Sequence, residues 1–129
     1  MVLDSSALVA IFKQEPGHEV LQQKINDAAL VLVGAPTLLE TAMVLTRLTG
    51  KDQHVLLEAY LRRIDAILVD FTAEHYSVAA EAFVRYGRGF SSKSNLNFGD
   101  CLSYAIAALA GDKLLFVGAD FTHTDIEAA

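Results

Sequence analysis

The chain has little that could brace it covalently and no run long enough to anchor it in a bilayer. One cysteine, Cys101, excludes a disulfide within its 129 residues. Stability must therefore come from a packed core, and a reducing compartment is expected. There is no tryptophan, and there are only two prolines, Pro16 and Pro36. No apolar run approaches the roughly 20 residues of a membrane span. An acid, Asp4, arrives where a secretion leader would need a basic region and then an apolar stretch. These absences predict a soluble, cytoplasmic protein with no membrane partner. An excess of base is missing too. Ten Lys and Arg against 16 Asp and Glu leave a formal net charge of −6. Such a balance argues against passive coating of nucleic acid, which depends on clustered cations. It does not exclude a nuclease, because carboxylates that hold a metal are counted as negative. It also leaves room for a local basic patch.

What is present favours one well-buried globule. Hydrophobic residues make up 53% of the chain, and a length of this order suits a single domain over 1–129 with one real core. We find no internal repeat, low-complexity segment or linker. The pattern predicts strands over 2–4, 30–33, 67–69 and 114–117. It predicts helices over 5–15, 17–28, 37–48, 52–63, 73–86 and 98–110, and a last short helix after Asp120. Ser5 or Ser6 is expected to cap the first helix, and Thr37 and Asp52 later ones. Glu40, three residues after Thr37, has capping-box spacing. Val55, Leu56, Ala59 and Tyr60 form the expected apolar stripe of helix 52–63. Short apolar strands without alternation, separated by helices, mean a parallel sheet covered on both faces. In such α/β sheets the functional crevice lies beyond the carboxyl ends of the strands.

Four carboxylates stand where an apolar run ends or a helix begins: Asp4, Glu40, Asp100 and Asp120. Each has an ordinary explanation. Asp4 and Asp120 could cap the helices that follow, Glu40 could complete a capping box, and Asp100 could complement a helix dipole. Two features weigh against four separate accidents. Helix 37–48 is apolar on most faces, so Glu40 should be at least partly buried, and a buried carboxylate without a partner costs several kcal/mol. No Arg or Lys lies close enough in sequence to neutralise the group. Acids gathered at one sheet edge stay charged together only with something positive between them, and a divalent cation fits. Oxygen ligands alone suit a hard ion, Mg²⁺ or Mn²⁺. His18, His54, His75 and His123 lack zinc spacing and read as surface or helix-face residues. Cys101 reads as a small buried hydrophobe. Ser6 could be a plain cap, or could orient the Asp4 carboxylate or a metal-bound water. Arg85, Arg88 and Lys93 lie at a helix end and in the loop leading to Asp100. Phosphate contact and a solvated helix end both fit them, and phosphate is favoured because cations there would offset repulsion between RNA and the acids.

These residues, in order, resemble the PIN-domain ribonucleases, and within them the VapC-type toxins of prokaryotic toxin–antitoxin pairs. The matching pieces are Val2-Leu3-Asp4-Ser5-Ser6-Ala7-Leu8, Ala35-Pro36-Thr37-Leu38-Leu39-Glu40, Leu96-Asn97-Phe98-Gly99-Asp100-Cys101-Leu102-Ser103-Tyr104-Ala105, and Leu114 through Gly118-Ala119-Asp120-Phe121-Thr122-His123-Thr124-Asp125-Ile126. The approach Arg85-Tyr86-Gly87-Arg88-Gly89 also matches. The resemblance implies a PIN-like three-layer α/β/α sandwich with a short central parallel sheet. It implies an Mg²⁺ or Mn²⁺ site at Asp4, Glu40, Asp100 and Asp120, supported by Ser6. The implied reaction is endonucleolytic cleavage of RNA to a 5′-phosphate and a 3′-hydroxyl. A homodimer and inhibition by a cognate VapB-type antitoxin are implied as well. Two departures stand out. Val117 occupies a place where Lys is frequent in relatives, and Ser91-Ser92-Lys93-Ser94 replaces a loop that often carries His, Pro and Arg.

Two rivals make different demands. A phosphoacceptor domain of the receiver type needs a Lys at the end of a later strand, and the strand ends here carry none. A catalytically inactive PIN-like binding or dimerisation module predicts a lost acid, and all four are present.

Overall fold

The computed structural model describes residues 1–90 and 93–129. Four short strands, β1 (Val2–Leu3), β2 (Leu32–Gly34), β3 (Ile67–Val69) and β4 (Leu114–Leu115), form one parallel sheet in the order β3-β2-β1-β4. Among the described residues, six helices accompany them: α1 (Ser5–Lys13), α2 (His18–Asp27), α3 (Ala35–Thr49), α4 (His54–Arg63), α5 (Ala73–Tyr86) and α6 (Phe98–Ala110). Among the described residues, no helix is long and apolar enough to cross a membrane.

Successive strand residues point to opposite faces, and that alternation sorts the core into two halves. Val2, Leu32 and Leu114 pack with Ala82 of α5 and with Cys101, Tyr104 and Ile106 of α6. Leu3, Val33 and Leu115 pack with Ala7 and Leu8 of α1, Ile25 of α2, and Tyr60 and Leu61 of α4. The molecule is therefore the expected three-layer α/β/α sandwich. Cys101 is a buried, unpaired thiol whose pKa burial pushes up to about 11, as an inert core residue should have.

Several local expectations need correction. The hydroxyl of neither serine caps α1; Asp4 does, accepting from the Ser6 amide at 3.0 Å. α1 stops at Lys13, because Gln14 turns left-handed before Pro16 is reached. α3 begins at Ala35 behind Gly34, so Thr37 is inside the helix and no capping box joins it to Glu40. Asp52 precedes α4 by two positions but still accepts from the His54 amide at 3.0 Å. α4 buries Leu57, Tyr60 and Leu61 and leaves Val55 and Leu56 exposed, a face rotated from the expected stripe. β3 lies at the sheet edge, so Ile67 and Leu68 are about half exposed rather than covered on both sides. No helix follows Asp120. Gly118 has φ +105°, and Thr122 and Thr124 turn their hydroxyls back onto the carbonyls of Ala119 and Phe121. Side chains that bond so locally compete with helix propagation, and the segment remains a run of turns.

Candidate metal-dependent active site

The strand order decides which acids meet. β1 and β4 are neighbours in register, Leu3 beside Leu115, and the Asp4 amide bonds Leu115 O at 2.9 Å. Asp4 and the Asp120 turn therefore leave the same edge of the sheet side by side. α6 packs on β1 and β2, and α3 packs on α6, which brings Asp100 and Glu40 to that edge.

Asp4 is buried. Its Oδ2 accepts from the Ser6 amide and, at 2.5 Å, from the Ser6 hydroxyl. Ser6 Oγ in turn accepts from the Val117 amide at 3.0 Å. The serine thus orients the carboxylate and ties it to the chain leaving β4. The other Asp4 oxygen, Oδ1, is buried and accepts nothing. Asp100 is also buried, and it completes a capping box with Asn97: Oδ2 accepts from the Asn97 amide at 2.8 Å while Asn97 Oδ1 accepts from the Asp100 amide at 3.0 Å. The expected first-turn place of Asp100 holds, the capping box is a finding of the structure, and both are compatible with its place in the cluster, because a carboxylate has oxygen lone pairs for both.

Glu40 is partly buried and lies hard against the backbone of Gly99. A Cβ at Gly99 would stand 2.3 Å from Glu40 Oε1. Only glycine lets the two helices bring Glu40 and Asp100 so close. Glu40 Oε2 is the second buried oxygen without a partner. Deeper in the same seam, the hydroxyls of Thr37 and Ser103 meet at 3.1 Å, one turn before Glu40 and one turn after Asp100.

The electrostatics carry the mark of crowding. Burial pushes the Asp100 carboxyl up to about 6, and Asp4, Asp120 and Glu40 add to the rise through space. Burial also raises Glu40, with Asp4 adding repulsion and the Ser5 hydroxyl working the other way. Among the described residues, none of the four acids forms an ion pair. Nor do any three Asp, Glu, His or Cys side chains, as they stand, enclose an ion. What the site offers is two buried, unpartnered carboxylate oxygens among mutually repelling acids. That donor set fits a hard divalent cation.

The model of the PIN domain matches residues 1–127. This chain belongs to the PIN-domain family. It is 39% identical over 128 residues to a ribonuclease VapC of Mycolicibacterium smegmatis, covering 99% of this chain and 98% of that one. It is 38% identical over 126 residues to ribonuclease VapC30 of Mycobacterium tuberculosis, covering 98% and 95%. These identities place it among the VapC proteins. The crystal structure of M. tuberculosis VapC20, titled a sarcin–ricin-loop-cleaving toxin, matches with a TM-score of 0.80 at 20% identity, over 99% of this chain and 97% of that one. That likeness shows the PIN fold.

The basic cluster of this PIN domain is more engaged than its sequence suggests. Arg85 donates to Asp125 Oδ2 at 3.1 Å and to the Tyr86 hydroxyl at 2.6 Å. Arg88 donates to Asn95 Oδ1 at 3.0 Å. Lys93 is exposed; Ser91 and Ser92, the rest of the departure in that loop, lie outside the described residues. Val117, the other departure, is exposed and contributes its amide to Ser6. Sequence reasoning passed over Ser5, Gly99, Ser103, Tyr104 and Asp125. All five had a signal, since each lies inside the motifs that carried the resemblance.

Proposed function

We propose that this chain is a metal-dependent endoribonuclease, the toxin of a VapBC-type toxin–antitoxin pair. The observation that carries the reading is the meeting of four unpaired acids at the carboxyl end of the sheet, with Asp4 Oδ1 and Glu40 Oε2 buried and unpartnered. Asp4, Glu40, Asp100 and Asp120 would hold Mg²⁺ or Mn²⁺. When bound, such an ion lowers the pKa of water and offsets charge on a phosphoryl group in line for displacement. The chain's own residues prepare that site. Ser6 fixes the Asp4 rotamer so that Oδ1 faces the cluster. Asn97 holds Asp100 by one oxygen and leaves the other available. Gly99 admits Glu40. Arg88 and Lys93, on the segment between α5 and α6, would meet the RNA backbone, with Arg85 behind them. The products would be a 5′-phosphate and a 3′-hydroxyl.

The partners follow from the same reading. A cognate VapB-type antitoxin would silence the toxin, and the protein would act in the cytoplasm as a homodimer. Support for an interface comes from exposed apolar residues on α3 and α5, including Leu39, Met43 and Val84.

The test is cleavage of a panel of structured RNAs with Mg²⁺, Mn²⁺ or EDTA, by wild type and Asp4→Asn. Cuts that need metal and vanish in Asp4→Asn are expected. Cuts that persist in EDTA, or in the variant, would overturn the mechanism.

A further inference from the structure

Asp125 has no part in the reading above, yet it accepts two hydrogen bonds from side chains beside the site. It lies on the run of turns that carries Asp120. Its Oδ1 accepts from the Tyr104 hydroxyl at 2.6 Å and its Oδ2 from Arg85 at 3.1 Å. The Arg85 guanidinium lies over the Tyr86 ring, 4.7 Å from its centre, and the Tyr86 and Tyr104 rings are 5.8 Å apart. Tyr104 is buried, so its hydroxyl would be costly to leave unpaired. A second tie runs alongside, from Ser94 Oγ to His123 O at 3.0 Å.

The placement matters because nothing periodic holds Asp120. Helix and strand both stop before it, and Phe121 alone of its neighbours is in the core. The segment is instead pinned at two ends. At one, the Val117 amide bonds Ser6, which also bonds Asp4. At the other, Asp125 is gripped by Tyr104, which stands one helical turn after Asp100 on the same face of α6. Each end is thus referred to a neighbour of another acid of the cluster.

We propose that Asp125, with Tyr104 and Arg85, is a positioning device that sets where Asp120 stands relative to Asp100, and through that the affinity for a divalent cation. Arg85 then works inside the protein rather than on RNA. The clause about affinity rests on the metal-site reading given above; the clause about position does not.

Two measurements separate them. The first is amide hydrogen exchange of metal-free wild type, Tyr104→Phe and Asp125→Asn, well below their melting temperatures. Tyr104→Phe removes one hydroxyl and nothing else. Exchange about tenfold faster across 117–125, with the sheet and α6 unchanged, is the expected result. Unchanged exchange in that segment, or a uniform rise over the whole chain, would overturn the device. The second is Mn²⁺ binding followed by electron paramagnetic resonance. Both variants should bind Mn²⁺ about tenfold more weakly, by the scale of other residues that support metal ligands. Saturating Mn²⁺ should restore most of the cleavage rate, which a merely unfolded fraction would not allow. Wild-type affinity in both variants would reduce the cluster to a structural brace. Absence of Mn²⁺ binding by the wild type would instead sink the metal-site reading, while the exchange data would still decide the device.

Discussion

α3 and α6 are both apolar helices that each deliver one acid to the same edge, yet they are used differently. In α6, eight of thirteen residues are buried; in α3, three of fifteen. α6 lies between the sheet and α5, so Cys101, Tyr104, Ala105 and Ala107 face protein on nearly every side. α3 turns Thr37, Thr41 and Leu45 inward and leaves Leu39, Met43 and Leu48 more than half exposed. These line a large groove that runs past Glu40 to Tyr76 and Phe83 of α5 and to Phe98. A helix apolar all round is either central or unfinished. α6 is central, so its acid is held by desolvation and crowding. α3 is unfinished, so its acid borders a surface that another molecule can cover.

The largest effect should come from Asp100→Asn on the buried side. Cleavage should fall by roughly 100-fold or more, the scale of losing a group that stabilises charge in the transition state. The same substitution should stabilise the metal-free fold. Asp100 is raised from 3.8 to about 6, so between those values the folded state holds a proton that the unfolded chain has released. Stability of the metal-free wild type should therefore fall as pH rises from about 4 to 6, by an amount on the order of 2 kcal/mol, and stay low above that window. Asparagine can still accept from the Asn97 amide but cannot ionise. Denaturant melts from pH 4 to 8 should show this slope in the wild type and lose much of it in the variant. A variant less stable at pH 8 would make Asp100 a structural residue first.

Gly99→Ala tests the contact between the two helices. In an exposed helix the change would add up to about 1 kcal/mol of stability. Here the new Cβ must displace Glu40, and a loss of about 1–3 kcal/mol is expected, with cleavage reduced alongside. A gain in melting temperature would mean that Glu40 swings aside freely. Thr37→Val keeps shape but leaves the Ser103 hydroxyl without its partner, and should cost about 1–2 kcal/mol by denaturant melts. Thr41→Val is its control, because Thr41 bonds only a carbonyl of its own helix, Thr37 O at 2.8 Å. Equal losses would show that the seam between α3 and α6 is not held by the hydroxyl pair. The smallest effect on the monomer belongs to the open side. Leu39→Lys with Met43→Lys should stay within about 0.5 kcal/mol per site, while light scattering should show any self-association through this face reduced. Full association despite two lysines would move the interface elsewhere.

How much was legible follows the same division. α5 and α6 were readable to the residue, and all four strands were located, because long apolar periods bounded by glycine leave little choice. The ends of α1, α3 and α4 were misread. Ser5, Thr37 and Asp52 are all good caps by composition, and the competition among adjacent candidates was settled by packing. Thr37 was drawn inside by Ser103, a partner 66 residues away. The turns after Asp120 were read as a helix although Thr122 and Thr124 compete locally with helix propagation, and the tie from Asp125 to Tyr104 and Arg85 has no local trace. The burial of Glu40 could be inferred from the apolar surroundings on its own helix; its rest against Gly99 could not.

The sequence by itself determined most of the inventory: the six helices before Asp120, four short strands, four acids without local counter-ions, and one thiol too isolated to cross-link; the last short helix it predicted does not form. Those are properties of spacing and chemical type, which neighbours along the chain establish. The tertiary structure decided which of them meet. Placing β4 beside β1 put Asp120 with Asp4, and packing α6 on the sheet and α3 on α6 brought in Asp100 and Glu40. The physical reason is that repulsion between acids far apart in sequence has no local signature. It arises only when burial elsewhere in the core compensates for bringing them together.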